Sequence, residues 1–527
     1  MGLINKFMSC IFLFLLSFFI LSGCVMNVGT KDSKIRSNSL IYAQSEELCS
    51  LDPSRVGDFA SATIIYNIYE SLLKFKEGTL EITSNLAERW EESEDHISFT
   101  FYLRKNVKFH DGTDFNAEAV KFNVDRQLNS DEKMPYADFV YGVVELVKVM
   151  DEYTVTFVLK EQCNYFLKNM AMDIGAFYAS PKAIKESVDN DITKNPVGTG
   201  PYKFDYRKAG QITRLVVNDG YWGKKAKIKT LIFKLIVDPS ARVFALENGE
   251  VDAIEKIDMD SMNRIKATNN NIAVSTSNVL GTHYMAFNTR KQPFNNRDLR
   301  RIICQAFDVV SLTKSICKDY VTAANCLLPP EIPGHDPNIK YSSYNKQAVE
   351  EYFKNFKVEK IKILTLSTIG TFGSNQQWAE ALQAYLKEYN IETQIEACDL
   401  KAYLDKISDS SRDYDICFYR WISDNGDPDN FFQILSKDNT EINCSGYDCE
   451  EFENILNKGK NTSRTVDNIE NFKQVYKEAE NIIKRDLPIL PLYYNKEWLA
   501  NVKALKGLKY NLTGTINFSL AYWEFSD

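Results

Sequence analysis

Between Lys360 and Tyr419 the apolar residues switch repeatedly between a two-residue and a 3.6-residue period, and no other stretch narrows the possible folds as far. Ile361 to Leu366 reads as a strand. Trp378, Ala381, Leu382, Tyr385, Leu386 and Tyr389 then fall on one face of a helix, and Ile391 to Ala397 is again a strand. Leu400, Tyr403, Leu404 and Ile407 make a second helical face before a third strand, Tyr414 to Tyr419. Strand-helix-strand-helix-strand demands parallel strands joined by right-handed crossovers. Open sheets of this kind bind ligands beyond the carboxyl ends of their strands, so the residues just after Tyr419 are where a ligand crevice is expected.

Those residues are Arg420-Trp421-Ile422-Ser423-Asp424-Asn425-Gly426-Asp427-Pro428-Asp429-Asn430-Phe431-Phe432. Trp421 stands beside Asp424, and an aromatic surface next to a fixed negative charge suits a small cation with an apolar body. A solvated acidic turn is the plainer alternative, since Asn-Gly and Asp-Pro are ordinary turn punctuation. A calcium loop fails on spacing: counted from Asp424, Gly426 and Pro428 occupy the third and fifth positions, which require side-chain oxygens. The run Trp421-x-x-Asp424-Asn-Gly-Asp-Pro-Asp-Asn-Phe431 resembles the signature of dipeptide-binding members of the bacterial peptide/nickel solute-binding family (family 5), which feed ABC importers.

The rest of the chain is compatible with that resemblance. It has 527 residues, 44% of them hydrophobic and 25% charged, which predicts a soluble globular protein of several domains. A net charge of −8 with no long basic run makes nucleic acid an unsuitable partner. At the N-terminus Lys6 precedes an apolar run, Phe7 to Leu21, too short to span a bilayer comfortably and shaped like the centre of a secretory signal. Leu21-Ser22-Gly23-Cys24 resembles the lipobox of bacterial lipoproteins. That resemblance implies removal of residues 1–23, a diacylglycerol on Cys24, a lipidated tether over 24–39 and residence on the extracytoplasmic face of the cell membrane, at the cell surface or in the periplasm. Two acyl chains anchor stably where one is marginal. Without Cys10 and Cys24, nine of the eleven cysteines remain, so they cannot all pair within one chain. Cys444 and Cys449 are spaced to bridge a small loop, Cys317 and Cys326 less so, and the absence of any Cys-x-x-Cys disfavours a metal cluster.

Further markers follow in order. Leu40 to Ala43 opens an edge strand; Asn67 to Leu73 and Leu86 to Ser93 are amphipathic; Phe99, Phe101 and Leu103, then Val155, Phe157 and Leu159, alternate as half-buried strands. In Phe109-His110-Asp111-Gly112 the His-Asp pair invites an acid-base reading, but no nucleophile accompanies it. Asp111-Gly112 is a turn, and Asn116 is placed to cap a helix carrying Val120, Val124 and Leu128. Gly198-Thr199-Gly200-Pro201-Tyr202 lacks the Gly-Lys-Ser/Thr of a phosphate loop. These stretches, with Leu280 to Thr289 and Arg485 to Tyr494, also resemble the family, over essentially the whole mature chain.

The resemblance implies an α/β fold: a two-lobed clamshell like a periplasmic binding protein, of type II, with an extra sub-domain in the first lobe. The first lobe would take residues 40–285 plus 496–527 and the second 286–495. In such proteins the carboxylate matching Asp424 pairs with a peptide's α-ammonium; Trp421 would pack the ligand, Ser423 would be free to hydrogen-bond it, and Gly281, Thr282 and His283 would line the facing wall. One departure stands out: Ser367 to Asn375 holds no basic residue, where dipeptide-specific relatives carry an Arg for the ligand carboxylate. Arg420 or His283 would have to substitute. The expected function is capture of di- or oligopeptides and their delivery to the permease subunits of an ABC importer, by a monomer without cofactor, metal site or catalytic residue. A metal chelate, haem or sugar in the same fold is the alternative. A secreted hydrolase is disfavoured, because the four His, at 96, 110, 283 and 335, have no zinc-site spacing and no Gly-x-Ser-x-Gly occurs.

Overall fold

The computed structural model describes residues 38–269, 271–367, 375–409, 411–462 and 468–525. The expected signal segment, Cys24 and nearly all of the tether lie outside these residues, as do residues 368–374 of the stretch that lacks the family's Arg.

Eleven strands form the main sheet. In chain order they are β1 (Ser39–Gln44), β2 (Tyr202–Lys208), β3 (Ile212–Val217), β4 (Thr230–Leu235), β5 (Ala253–Glu255), β6 (Ile272–Phe287), β7 (Thr322–Ala323), β8 (Lys360–Leu366), β9 (Glu392–Cys398), β10 (Ile416–Ile422) and β11 (Ile489–Val502). Across the sheet they run β9-β8-β10-β6-β11-β5-β1-β4-β3-β2, with β7 on the edge of β11. The two long strands, β6 and β11, therefore sit in the middle and join two halves of different construction.

One half is the alternating unit read from the sequence. β8 pairs in parallel with both β9 and β10, and helices Asn375–Lys387 and Leu400–Ser408 make the crossovers. Trp378, Leu382, Leu386, Tyr403 and Ile407 are the buried face of those helices, as their spacing requires. β10 continues past Tyr419 to Ile422, which puts Trp421 inside the strand instead of after it. The cause is non-local: Trp421 and Ile422 are held by antiparallel pairing with Thr282 and Gly281 of β6.

The other half is mixed, with β2, β3 and β4 antiparallel and β1 parallel to β5, and it carries a separate four-stranded sheet, Ala87–Glu92, Ser98–Leu103, Thr154–Leu159 and Val144–Asp151 in spatial order, which is the extra sub-domain of the first lobe. Leu86 to Ser93 thus contributes a strand, paired with Ser98–Leu103. Phe101 and Phe157 meet edge to face in its core at 5.5 Å. Each such fully buried ring contributes about 2–3 kcal/mol by area. Asn116 caps Ala117–Leu128 by accepting from the Ala119 amide at 3.0 Å.

The Gly198-Thr199-Gly200 loop fastens this half together. A Cβ on Gly198 would lie 2.1 Å from the Ile68 carbonyl oxygen, so no other residue admits this approach. Thr199 Oγ1, Tyr221 Oη and Trp222 Nε1 all donate to the buried Glu70 carboxylate, at 2.8, 2.8 and 2.9 Å. His110 Nε2 donates to the Gly200 carbonyl at 3.0 Å, and burial pushes this imidazole down to about 4. His110 is therefore a neutral structural bridge between two sequence markers.

Two large hydrophobic clusters fill most of the molecule, beside a small one of Ile302, Ala306 and Val349. One gathers residues from Leu40 to Phe233 with Leu499 to Ala521; the other runs from Val243 to Ala500 and takes in Phe287, Trp378, Phe432 and Tyr476, with Ala43 of β1. Among the described residues neither Cys444 and Cys449 nor Cys317 and Cys326 are joined by a disulfide. Cys444 is buried beside Cys417 of β10, whose thiol hydrogen-bonds it, while Cys449 lies near Tyr447. Closeness in sequence did not bring Cys444 and Cys449 to bonding geometry, because Cys444 is turned into the core under β10.

Candidate functional site

β10 ends at Ile422, opposite Gly281 of β6, and the turn that follows is built almost wholly from its own side chains. Ser423 donates its amide to the Leu280 carbonyl at 2.7 Å, and its Oγ accepts from the Gly426 amide at 3.0 Å. Asn425 Oδ1 accepts from the Asp427 amide at 2.9 Å; Asp427 Oδ1 accepts from the Asp429 amide at 3.0 Å and so caps the short helix Pro428–Phe432. Trp421 Nε1 donates to Asn430 Oδ1 at 3.0 Å. The turn carries three carboxylates, of which the sequence reading singled out Asp424, and this arrangement separates them. Asp427 and Asp429 are buried and committed to the turn, whereas Asp424 faces a cavity.

The turn is docked against residues that precede it by some 260–290 positions. Lys168 Nζ donates to the Gly426 carbonyl at 2.6 Å and lies 3.6 Å from Asp427; Asn425 Nδ2 donates to Asn169 Oδ1 at 2.8 Å. Tyr136 Oη donates to Asp424 Oδ1 at 3.1 Å. Gly426 has φ +64°, and a Cβ on it would meet Leu80 Cδ2 at 2.4 Å. Gly426→Ala is accordingly expected to cost about 1–2 kcal/mol in urea unfolding, through a strained φ and a displaced Leu80. An unchanged midpoint would show that this docking is loose.

The cavity at Asp424 has a volume of about 20 Å³ and is lined by Asp58, Phe59, Tyr136, Asp173 and Ile174 among others. Burial raises the Asp424 carboxyl to about 6, the Tyr136 hydrogen bond opposing. Asp173 is buried and accepts from Thr515 Oγ1 at 2.6 Å, from Asn511 Nδ2 at 3.3 Å and from Thr513 Oγ1. Burial raises its carboxyl too, against those three donors. Asp58 caps helix Phe59–Ile65, accepting from the Ser61 amide and hydroxyl at 2.7 and 2.6 Å. Among the residues lining this cavity there are three carboxylates and no Lys or Arg. Such a lining favours a small cation, which regains in Coulomb attraction what it loses in water.

Sequence reasoning missed Tyr136, Asp58 and Asp173. An Asp-x-x-Ser cap before an apolar run is legible at Asp58, but nothing local says that it shares a cavity with Asp424.

The other residues singled out from the sequence have different duties. Ser423 is fully buried with its hydroxyl spent on the turn, so it shapes the site and does not face a ligand. Thr282 is buried likewise, its Oγ1 donating to the Leu327 carbonyl at 2.7 Å. Gly281 is packed against Asn495, Ile422 and the Trp421 carbonyl. His283 stacks on Tyr493 at 4.1 Å, accepts from its hydroxyl at Nδ1 (3.0 Å) and donates from Nε2 to Asn495 Oδ1 (3.2 Å). Burial, with Arg420 adding to it, drives this imidazole down to about 3. His283 is therefore neutral and offers no cation for a ligand carboxylate. Arg420 lies across β6 from it and retains a partly exposed guanidinium.

Comparisons with known proteins agree on one family. Residues 81–442 match the family described as bacterial extracellular solute-binding proteins, family 5. The dipeptide-binding protein of Escherichia coli is 28% identical, the match covering 94% of this chain and 96% of that one. Heme-binding protein A of Haemophilus influenzae is 27% identical over 89% and 90% of the two chains. Among solved structures, the periplasmic binding protein DppA of Helicobacter pylori, in complex with the peptide STSA, superposes with a TM-score of 0.79 at 28% identity, over 94% of this chain and all of that one. Two lobes joined through β6 and β11, a sub-domain on the first and an acidic cavity at the end of β10 are thus the form taken here by a member of the bacterial extracellular solute-binding proteins, family 5, to which this chain belongs.

Proposed function

We propose that this protein captures peptides, di- or oligopeptides with a free amino terminus, between its lobes and passes them to the permease subunits of an ABC importer. The observation that carries the reading is Asp424: the carboxylate of the turn that faces a cavity, held there by Tyr136, the cavity being about 20 Å³ with an all-acidic ionisable lining. That volume is about one water-sized sphere, which is also the size of an ammonium head. The remainder of a peptide needs the lobes to part, and β6 and β11 supply the means. β6 pairs with the last residues of β11 over Ile272 to Asn278 and with its first residues over Thr282 to Ala286, and the register shifts between them. A bulged pair of strands of this kind is a natural hinge. Relatives named for di- and tripeptides support the peptide reading; one named for haem supports the alternative, a haem or chelate carrier in the same fold.

Lipid anchoring at Cys24 belongs to the same proposal, since a tethered capture protein keeps its cargo beside the importer.

The test is a thermal-shift screen of the purified protein with peptides of two to six residues, haem, nickel chelates and sugars. A ligand well above its dissociation constant raises the melting temperature by mass action. Peptides are expected to shift it and their N-acetylated forms are not. Shifts with haem, chelates or sugars alone would keep the family and overturn the cargo.

A further inference from the structure

Arg420 is the cationic residue of β10, and its position is unusual. Its guanidinium is 42% exposed and, among the described residues, makes no hydrogen bond and has one ionic neighbour, Glu497, at 4.0 Å. Glu497 is 15% exposed and accepts from Asn495 Nδ2 at 3.2 Å. The two lie on opposite sides of the irregularity in β6. Arg420 is opposite His283, after the register shift, and Glu497 is opposite Ser277, before it. The pair therefore spans the proposed hinge at the outer limit of an ionic contact. Arg420 also stands four residues before Asp424, at most about 14 Å along an extended chain. A ligand of roughly two to four residues, at about 3.5 Å each, would reach from one to the other.

We propose that Arg420 receives a carboxylate of the bound ligand and in doing so exchanges it for Glu497. The inference rests on the peptide reading and deepens it by naming the group that recognises the ligand's negative end. His283, the other candidate, is committed on both ring nitrogens. A guanidinium with unused donors in fork geometry is suited to a carboxylate, and a loose partner is readily displaced by a better-placed one. Burial raises the Glu497 carboxyl, Arg420 opposing, so once Arg420 is engaged elsewhere Glu497 tolerates taking up a proton. The exchange also couples recognition to motion, because it replaces an ion pair across the hinge with one to the ligand.

Two sources could supply the carboxylate: the ligand's C-terminus or an acidic side chain. Titration calorimetry on the purified protein separates them, using trialanine, trialanine amide, Ala-Ala-Glu amide and Ala-Ala-Gln amide. The expected result is at least about tenfold tighter binding of trialanine than of its amide, a preference abolished in Arg420→Gln, where both bind as the amide does. Glu497→Gln is expected to strengthen trialanine and leave its amide unchanged. A preference for Ala-Ala-Glu amide over Ala-Ala-Gln amide that vanishes in Arg420→Gln would assign the side chain instead of the terminus. An acid preference surviving in Arg420→Gln, or trialanine binding unaltered in Glu497→Gln, would overturn the exchange while leaving the peptide reading intact. Failure of the unaltered protein to bind any of the four would overturn both.

Discussion

Asp424→Asn is expected to weaken peptide binding by two to three orders of magnitude while leaving the protein folded and no less stable. In the proposed complex the carboxylate and the ligand's α-ammonium are both withdrawn from water. Removing one partner of such a pair costs about 3–5 kcal/mol, because the other is left buried and alone. Without ligand the balance reverses. The Asp424 carboxyl is raised from the ordinary 3.8 to about 6 because burial disfavours its charge. Its ionised form at neutral pH therefore costs the native state stability, about 3 kcal/mol at most for two pH units. Asn keeps the shape and can still accept from Tyr136 Oη, but carries no charge to desolvate. Titration calorimetry should show the loss of affinity, and thermal melts of the free protein should show an unchanged or higher melting temperature. Loss of both binding and stability would mean that Asp424 is a structural residue, and retained affinity would remove it from the site. A neighbour offers the control: Asp427 is buried and caps a helix, so Asp427→Ala should lower the melting temperature.

That contrast marks how far the sequence could be read. The alternating unit from Lys360 to Ile422 was legible because each element is specified by its own periodicity, and its parallel pairing follows from the connections alone. The same logic pointed to the turn after β10 as the candidate site. It could not rank Asp424 above Asp427 and Asp429, since all three occupy one polar turn and differ only in what surrounds them. Those surroundings come from far away in sequence: Tyr136 is 288 residues from Asp424. The central strands show the same limit. Leu280 to Thr289 and Arg485 to Tyr494 were recognisable by their resemblance to the family, but the lengths of the strands they belong to, their shifted register and the consequent burial of Thr282 and Gly281 are products of pairing between segments some 210 residues apart. The cysteines failed for the same reason, sequence spacing being a poor guide to which thiols meet.

Peptide affinity is expected to fall about fifteenfold between pH 8 and pH 4.5. The ammonium requires an ionised Asp424, and in the free protein that carboxyl titrates near 6. At pH 8 it is already ionised. At pH 4.5, one and a half units below its midpoint, only about 3% is, and each unit of pH is worth tenfold in apparent affinity until the lower pKa of the complex is reached. The α-ammonium of the ligand, with a pKa of about 7.7–8.0, is about half deprotonated at pH 8, which takes roughly twofold off the thirtyfold that Asp424 alone would give; below about pH 7 it is protonated and adds no slope. Free-protein stability should follow the opposite course. A carboxyl whose folded pKa lies above its unfolded value binds more protons in the native state, so its contribution is most favourable below about pH 4 and declines as pH rises through 6. Ligand-induced melting shifts should therefore shrink toward acid pH even where this group destabilises the free protein least. Asp173 is the confounding group, being buried in the same cavity and raised by the same cause. Its three donors, Thr513, Thr515 and Asn511, stay with it whether or not a ligand is bound, whereas Asp424 exchanges an empty side of its carboxylate for a cation. Calorimetry of Asp424→Asn over the same pH range tells them apart: its residual binding should be flat with pH if Asp424 is the titrating group, and should keep the full slope if the group is Asp173.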